Sequence, residues 1–157
     1  MDALERWDRR FLDLAKQVST WSKDPSTQVG AILVNEYRQI VGTGYNGLPR
    51  GVTDAPERLH DRATKYAMTV HAEANALMLA GTRARGATLY VYPGFPEPFM
   101  CAECCKLAIQ AGVSGIVGYG IYHPLNLLVQ RWQESNRYSG IMWKEAGKWV
   151  RSYPEGA

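Results

Sequence analysis

Histidine and cysteine are both scarce in this chain, with three of each among 157 residues. The cysteines, Cys101, Cys104 and Cys105, all fall in the one stretch MCAECCK. Such a cluster in a reducing compartment points to metal binding or catalysis rather than to disulfides. Long apolar runs are also missing: nothing approaches the ~20 residues of a membrane span, so no membrane partner is expected. Charge of one sign is concentrated nowhere. The 18 Lys and Arg and the 15 Asp and Glu leave a net charge of +3, spread along the chain, and no basic block marks a nucleic-acid surface. The first residues, MDALERWDRRFLDLAK, are charged and amphipathic, unlike a signal peptide, so a cytoplasmic location is expected. Repeats, linkers and low-complexity tracts are absent too, which makes one domain over residues 1–157 the expectation. The composition agrees, since 46% hydrophobic and 21% charged residues suit a core that needs no staples.

What is present reads as alternating elements. Leu4, Trp7, Phe11, Leu14 and Val18 recur at helical spacing and predict a helix over residues 3–21, ended by the proline of SKDPS. QVGAILV (28–34) and QIVGTGY (39–45) read as the strands of a hairpin turning at NEYR. Residues 46–69 contain Gly and Pro, and segments of that length are functional or partly helical. Then follow a helix over 72–81, a strand over 87–93, a helix over 101–112, a strand over 114–120 and a helix over 126–137. The tail 141–153 reads as two short strands about Ala146 and Gly147, or as one strand with an irregular end. The alternation predicts an α/β fold with helices on a mixed sheet.

The cysteines need partners, and His60, His71 and His123 are the only histidines. His71 opens the helix HAEANAL; Cys101 and Cys104 open another. Helix starts carry unpaired N–H groups and the positive end of the dipole, which favours the thiolate that a metal requires. One imidazole and two thiolates leave the fourth position of a tetrahedral zinc open, as in catalytic sites. A structural site would need a fourth protein ligand, for which Cys105 and His123 are candidates. The plain alternative is that the cysteines are small core residues. Glu73 tips the balance. It follows His71 by two residues, where a carboxylate can take a proton from an activated water and return it elsewhere. Alone it would be an ordinary carboxylate at a helix start; beside a histidine and a downstream C-x-x-C it is a candidate general acid and base.

HAE, followed about 30 residues later by CAEC, resembles the zinc-dependent cytidine/deoxycytidylate deaminase superfamily, whose signature is H-x-E with C-x-x-C. SKDPSTQVGAILV, GYNGLPRG, KYAMTVHAEANAL and CKLAIQAGVSGIV are similar to its deoxycytidylate (dCMP) deaminase branch. The resemblance spans roughly residues 5–125 and is poor beyond 126. Two departures stand out. Met100 replaces the proline that the family has before its first cysteine, and YPGFPEPFM is a longer link into C-x-x-C that would border the pocket.

The resemblance implies a three-layer α/β/α sandwich with a central mixed sheet of about five strands. It implies zinc-dependent hydrolysis of dCMP to dUMP and ammonia, with His71, Cys101 and Cys104 holding Zn2+ and Glu73 moving protons. Asn46 and Ala72 would meet the substrate, and Cys105 would be core, on a stripe with Ala108, Ile109 and Gly112. Lys23, Ser26 and Thr27 follow the first helix and offer a cation and hydroxyls to a 5′-phosphate. Tyr122 and His123 would cover the pocket edge. The family also implies a homo-oligomer, hexamer or trimer, activated by dCTP and inhibited by dTTP with Mg2+. That control would act through Gly44, Tyr45, Gly47, Arg50 and Gly51. Rival readings are a deaminase of dCTP, a deaminase of cytosine or adenine in a polynucleotide, and a zinc-stabilised binding module with four protein ligands.

Overall fold

In the computed structural model, which describes residues 1–120 and 130–156, the chain begins with α1 (Ala3–Ser19). Asp2 caps it by accepting the Glu5 N–H at 2.8 Å, and its stripe of Phe11, Leu12, Ala15 and Val18 is buried. β1 (Gly30–Val34) and β2 (Ile40–Tyr45) form an antiparallel hairpin. Asn35 builds its turn, the side-chain oxygen accepting the N–H groups of Tyr37 and Gln39. The long segment that follows is partly helical, with α2 (Pro56–His60) and α3 (Arg62–Met68). Next come α4 (Ala72–Ala80), β3 (Thr88–Tyr92), α5 (Ala102–Gln110) and β4 (Gly115–Tyr119). α6 (Gln130–Glu145) and β5 (Trp149–Tyr153) complete the order.

The sheet runs β2-β1-β3-β4-β5. β1 is antiparallel to both neighbours, while β3, β4 and β5 are parallel. Parallel neighbours require a crossover, and α5 and α6 provide the two that are needed. α1 covers one face, over Ile32, Tyr90 and Val117. α4, α5 and α6 cover the other, over a core that includes Leu33, Leu89, Cys105, Ile116 and Trp143. The fold is thus a three-layer α/β/α sandwich around a mixed five-stranded sheet. All residues of β1 and β4 are buried, as strands between two layers must be. Among the described residues no helix is long and apolar enough to cross a membrane.

The tail departs from expectation. Residues 141–145 extend α6 rather than forming a strand. Trp143 is buried in the helical layer, and its ring N–H donates to Trp149 O at 3.0 Å. Gly147, with φ +73, closes the helix, and the Lys148 N–H returns to Trp143 O. Only β5 is extended. It is locked to α1 by Asp8, a fully buried carboxylate. Arg151 reaches Asp8 with Nε at 2.7 Å and a second nitrogen at 3.1 Å, and the hydroxyls of Tyr90 and Tyr153 each donate to it at 2.7 Å.

Asp8→Ala would leave a guanidinium and two phenols without their acceptor. The expected loss of stability is about 3 kcal/mol, read from urea denaturation. An unchanged midpoint would mean that the cluster does not hold β5.

Candidate active site

The placement of α4 rests on two glycines. A Cβ at Gly42 or Gly44 of β2 would stand 2.4 or 2.2 Å from the carbonyl oxygens of Ala76 and Ala72, so a side chain at either would force the helix off the strand. His71 is the N-cap of α4 and Cys101 that of α5, and the fold brings the two helix starts together. His71 Nδ1 is 3.4 Å from the sulfurs of both Cys101 and Cys104. The three ligand atoms lie within 4.8 Å of one another. With Zn–S near 2.3 Å and Zn–N near 2.0 Å, tetrahedral ligand atoms stand roughly 3.5–3.8 Å apart, so this donor set fits zinc. Cys105 is not part of the cluster. Its sulfur is buried against Ser139 O at 3.5 Å, and burial pushes its thiol up to about 11.

The cluster is poised for a cation. The Cys104 thiol and the Cys104 N–H both donate to Cys101, holding the Cys101 thiol down at about 4. The Cys101 sulfur beside it, together with burial, pushes the Cys104 thiol up. A bound metal would displace the thiol protons, because it ligates thiolates. Glu73 is 5% exposed. Burial raises its carboxyl above the ordinary range, the charge of His71 opposes the rise, and Cys104 lies within hydrogen-bond reach.

His71, Ala72, Glu73 and Cys101 line a cavity of about 380 Å³, a size suited to a small molecule. Asn46, Ser26 and Thr27 line it as well. Asn46 ties the approach to β1: its side-chain oxygen accepts the Val29 N–H at 2.8 Å and its amide donates to Thr27 O at 2.9 Å. The N–H groups of Ser26 and Thr27 both go to Asp24. Lys23 is outside the lining, exposed and paired with Asp54 at 2.7 Å. Gly44, Tyr45, Gly47, Arg50 and Gly51 are outside it too. Gly44 lies under α4, Gly47 bridges to Val70, and Tyr45, Arg50 and Gly51 are exposed. Tyr122 and His123 fall outside the described residues.

Several lining residues escape sequence reasoning. Lys65 of α3 reaches Asp24 at 3.1 Å in a pair that is almost wholly buried, and Arg62 lies one turn before it. Asp61, which caps α3 by accepting the Thr64 N–H, is the local signal that could have revealed this helix. Phe95, Phe99 and Trp132 add an aromatic side, which Ser135 adjoins. The first two come from the long loop before Cys101, the others from α6.

Residues 5–119 match the family described as the cytidine and deoxycytidylate deaminase zinc-binding region. The chain belongs to this deaminase family. A protein of Aliivibrio fischeri, described as an uncharacterized deaminase in the luxG 3′ region, is 36% identical over 153 residues, 96% of each chain. Human deoxycytidylate deaminase is 41% identical over 125 residues, covering 74% of this chain and 65% of the human enzyme. The chain thus spans just under two thirds of that relative's length. Among solved structures, dCMP deaminase from the cyanophage S-TIM5 in apo form aligns with a TM-score of 0.63 at 22% identity, over 98% of this chain and 100% of that one. The same enzyme in complex with dCMP and dUMP gives 0.66 at 21% identity, over 98% and 99%. These structures show the fold. The deaminase zinc-binding region includes all three residues of the cluster, and Zn2+ is the metal that the cluster suits.

Cys101→Ala and Cys104→Ala are expected to lose zinc, and Cys105→Ala to keep about one zinc per chain, as a site made of His71, Cys101 and Cys104 requires. Metal analysis of the three purified variants checks this. Zinc lost from the Cys105 variant alone would show that the ligand pair is a different one.

Proposed function

We propose that this chain is a zinc-dependent dCMP deaminase, which hydrolyses dCMP to dUMP and ammonia. The observation that carries the reading is Glu73, a carboxyl buried beside the His71–Cys101–Cys104 cluster and lining the cavity. A buried acid beside a candidate metal site is a group placed for proton transfer. His71, Cys101 and Cys104 would hold the metal. Zinc, when bound, acidifies a water and supplies hydroxide near neutral pH. Glu73 takes a proton from the attacking water and gives it to N3 of the cytosine ring as the oxygen joins C4. It then carries the remaining hydroxyl proton to the amino group. The C4–N bond breaks, ammonia leaves with the electron pair, and the C4 carbonyl forms. An acid whose pKa is raised is suited to returning a proton that it has just accepted.

The rest of the lining suits a nucleoside monophosphate. Asn46, held by the backbone on either side of Gln28, would contact the substrate nucleoside from the cavity lining. Arg62, with the hydroxyls of Ser26 and Thr27, would supply the charge and donors for a 5′-phosphate, while Lys65 is neutralised by Asp24. Relatives named for deoxycytidylate support the substrate. The reading extends to a homo-oligomer, hexamer or trimer, and to activation by dCTP and inhibition by dTTP with Mg2+. That control would work through Gly44 to Gly51, where Arg50 is the one charged side chain.

Glu73→Gln is expected to keep its zinc and its fold but to lose at least ~100-fold in dCMP turnover, as for a lost general acid and base. Activity near wild type would remove Glu73 from the mechanism. The wild-type protein should be assayed with dCMP, dCTP and a short cytosine-containing oligonucleotide side by side. Preference for the oligonucleotide would replace the proposal with a polynucleotide deaminase.

For the regulatory part, the expectation is sigmoidal dependence on dCMP, made hyperbolic by dCTP, and inhibition by dTTP that dCTP relieves. Arg50→Ala should weaken both effectors and retain zinc. Hyperbolic kinetics indifferent to both nucleotides would sink the regulatory claim alone.

A further inference from the structure

The aromatic side of the cavity is built by the two segments that resemble the family least. Phe95 stacks on Trp132, with ring centroids 5.5 Å apart and planes at 12°. Phe95 belongs to the long loop before Cys101, and Trp132 to α6. The loop is fastened at several points. Asn136 of α6 donates to Pro96 O at 2.9 Å, and the Phe99 N–H donates to the same oxygen at 2.8 Å. Phe99 is buried with φ +67, a left-handed conformation that an aromatic residue adopts only where its surroundings impose it. Its ring occupies the space over Gly118, where a Cβ would stand 2.7 Å from it.

The wall is also close to the reacting centre. Ser135, one turn after Trp132, accepts the N–H of Ala102 at 2.8 Å, and Ala102 follows the ligand Cys101. Trp132 is therefore about one helical turn, ~5 Å, from a contact beside the metal cluster.

On the reading of this cavity as a dCMP site, the chemistry of cytosine says which edge meets the wall. O2, N3 and the amino group need polar partners, and Glu73 must serve N3 and the amine. The C5–C6 edge carries only C–H groups and loses nothing against aromatic carbon. We propose that the Phe95–Trp132 pair is the wall for this edge and sets the size of the substituent accepted at C5. The wild-type protein would then exclude a 5-methyl group that an open pocket admits.

The test compares kcat/KM for dCMP and 5-methyl-dCMP in the wild-type protein, Phe95→Ala and Trp132→Ala. Inhibition by the products dUMP and 5-methyl-dUMP gives a readout independent of turnover. Wild type should favour dCMP at least ~10-fold, and either variant should move the ratio toward the methylated substrate by about 10-fold, the scale for one methyl group in an apolar pocket. The product affinities should shift the same way, and zinc content should hold. If the alanine variants do not fold, Phe95→Leu and Trp132→Phe should show a smaller shift in the same direction. Equal use of both substrates by wild type, or an equal fall for both substrates in the variants, overturns the wall. Absence of any dCMP turnover by the zinc-loaded wild type sinks the underlying reading instead.

Discussion

No side chain separates β2 from the start of α4, and the site depends on that contact. Gly42 and Gly44 let the carbonyls of Ala76 and Ala72 approach the strand more closely than any Cβ would permit. The first turn of α4, with His71 and Glu73, is thereby held at a fixed height over the sheet. α5 is set by different contacts: its start by Ser135 of α6 and its buried face by Cys105 and Ala108. The three ligand atoms meet only because both helices are placed correctly, and a shift of an ångström in either would spoil a set spaced for zinc.

The two most buried carboxylates of the chain play opposite parts. Asp8 is fully answered, by a guanidinium and two phenols. Such a carboxylate has nothing left to do, and it joins α1 to the last strand. Glu73 is buried beside Cys101 and Cys104, and among the described residues no lysine or arginine forms an ion pair with it. Burial is the largest influence on its proton affinity, and it acts against the charge of His71. A divalent cation in the cluster would satisfy the thiolates and change the field at Glu73 together, so metal binding and proton transfer are linked by proximity.

The pocket draws its lining from both ends of the chain. Polar groups come from the loop after α1, from Asn46, from α3 and from the start of α4; the aromatic groups come from the loop before α5 and from α6, with Tyr66 from α3. Lys65, nearly excluded from solvent, is tolerable only because Asp24 lies 3.1 Å away. Asp24 is held in turn by the N–H groups of Ser26 and Thr27. That chain of contacts makes the polar side rigid, as Phe99, Asn136 and Gly118 make the aromatic side rigid.

Much of the fold was legible because its signals are local. Helical spacing in α1, the hairpin about Asn35, and the glycines after α4 and α5 depend on neighbours a few residues away. H-x-E and C-x-x-C are local as well, and helix pitch with the family resemblance sufficed to separate Cys105 from the ligand pair. Residues 141–145 were misread because a short mixed stretch fits either helix or strand; burial of Trp143 decided it. The Lys65–Asp24 pair and the Phe95–Trp132 stack had no local mark. Their partners are 41 and 37 positions apart, and only the packing of separate elements brings them together. The sequence by itself determined most of the elements and the chemical groups available for catalysis. Tertiary structure alone decided which of those groups share a cavity, because contact between distant residues is set by how whole helices and strands pack, not by the order of the residues along them.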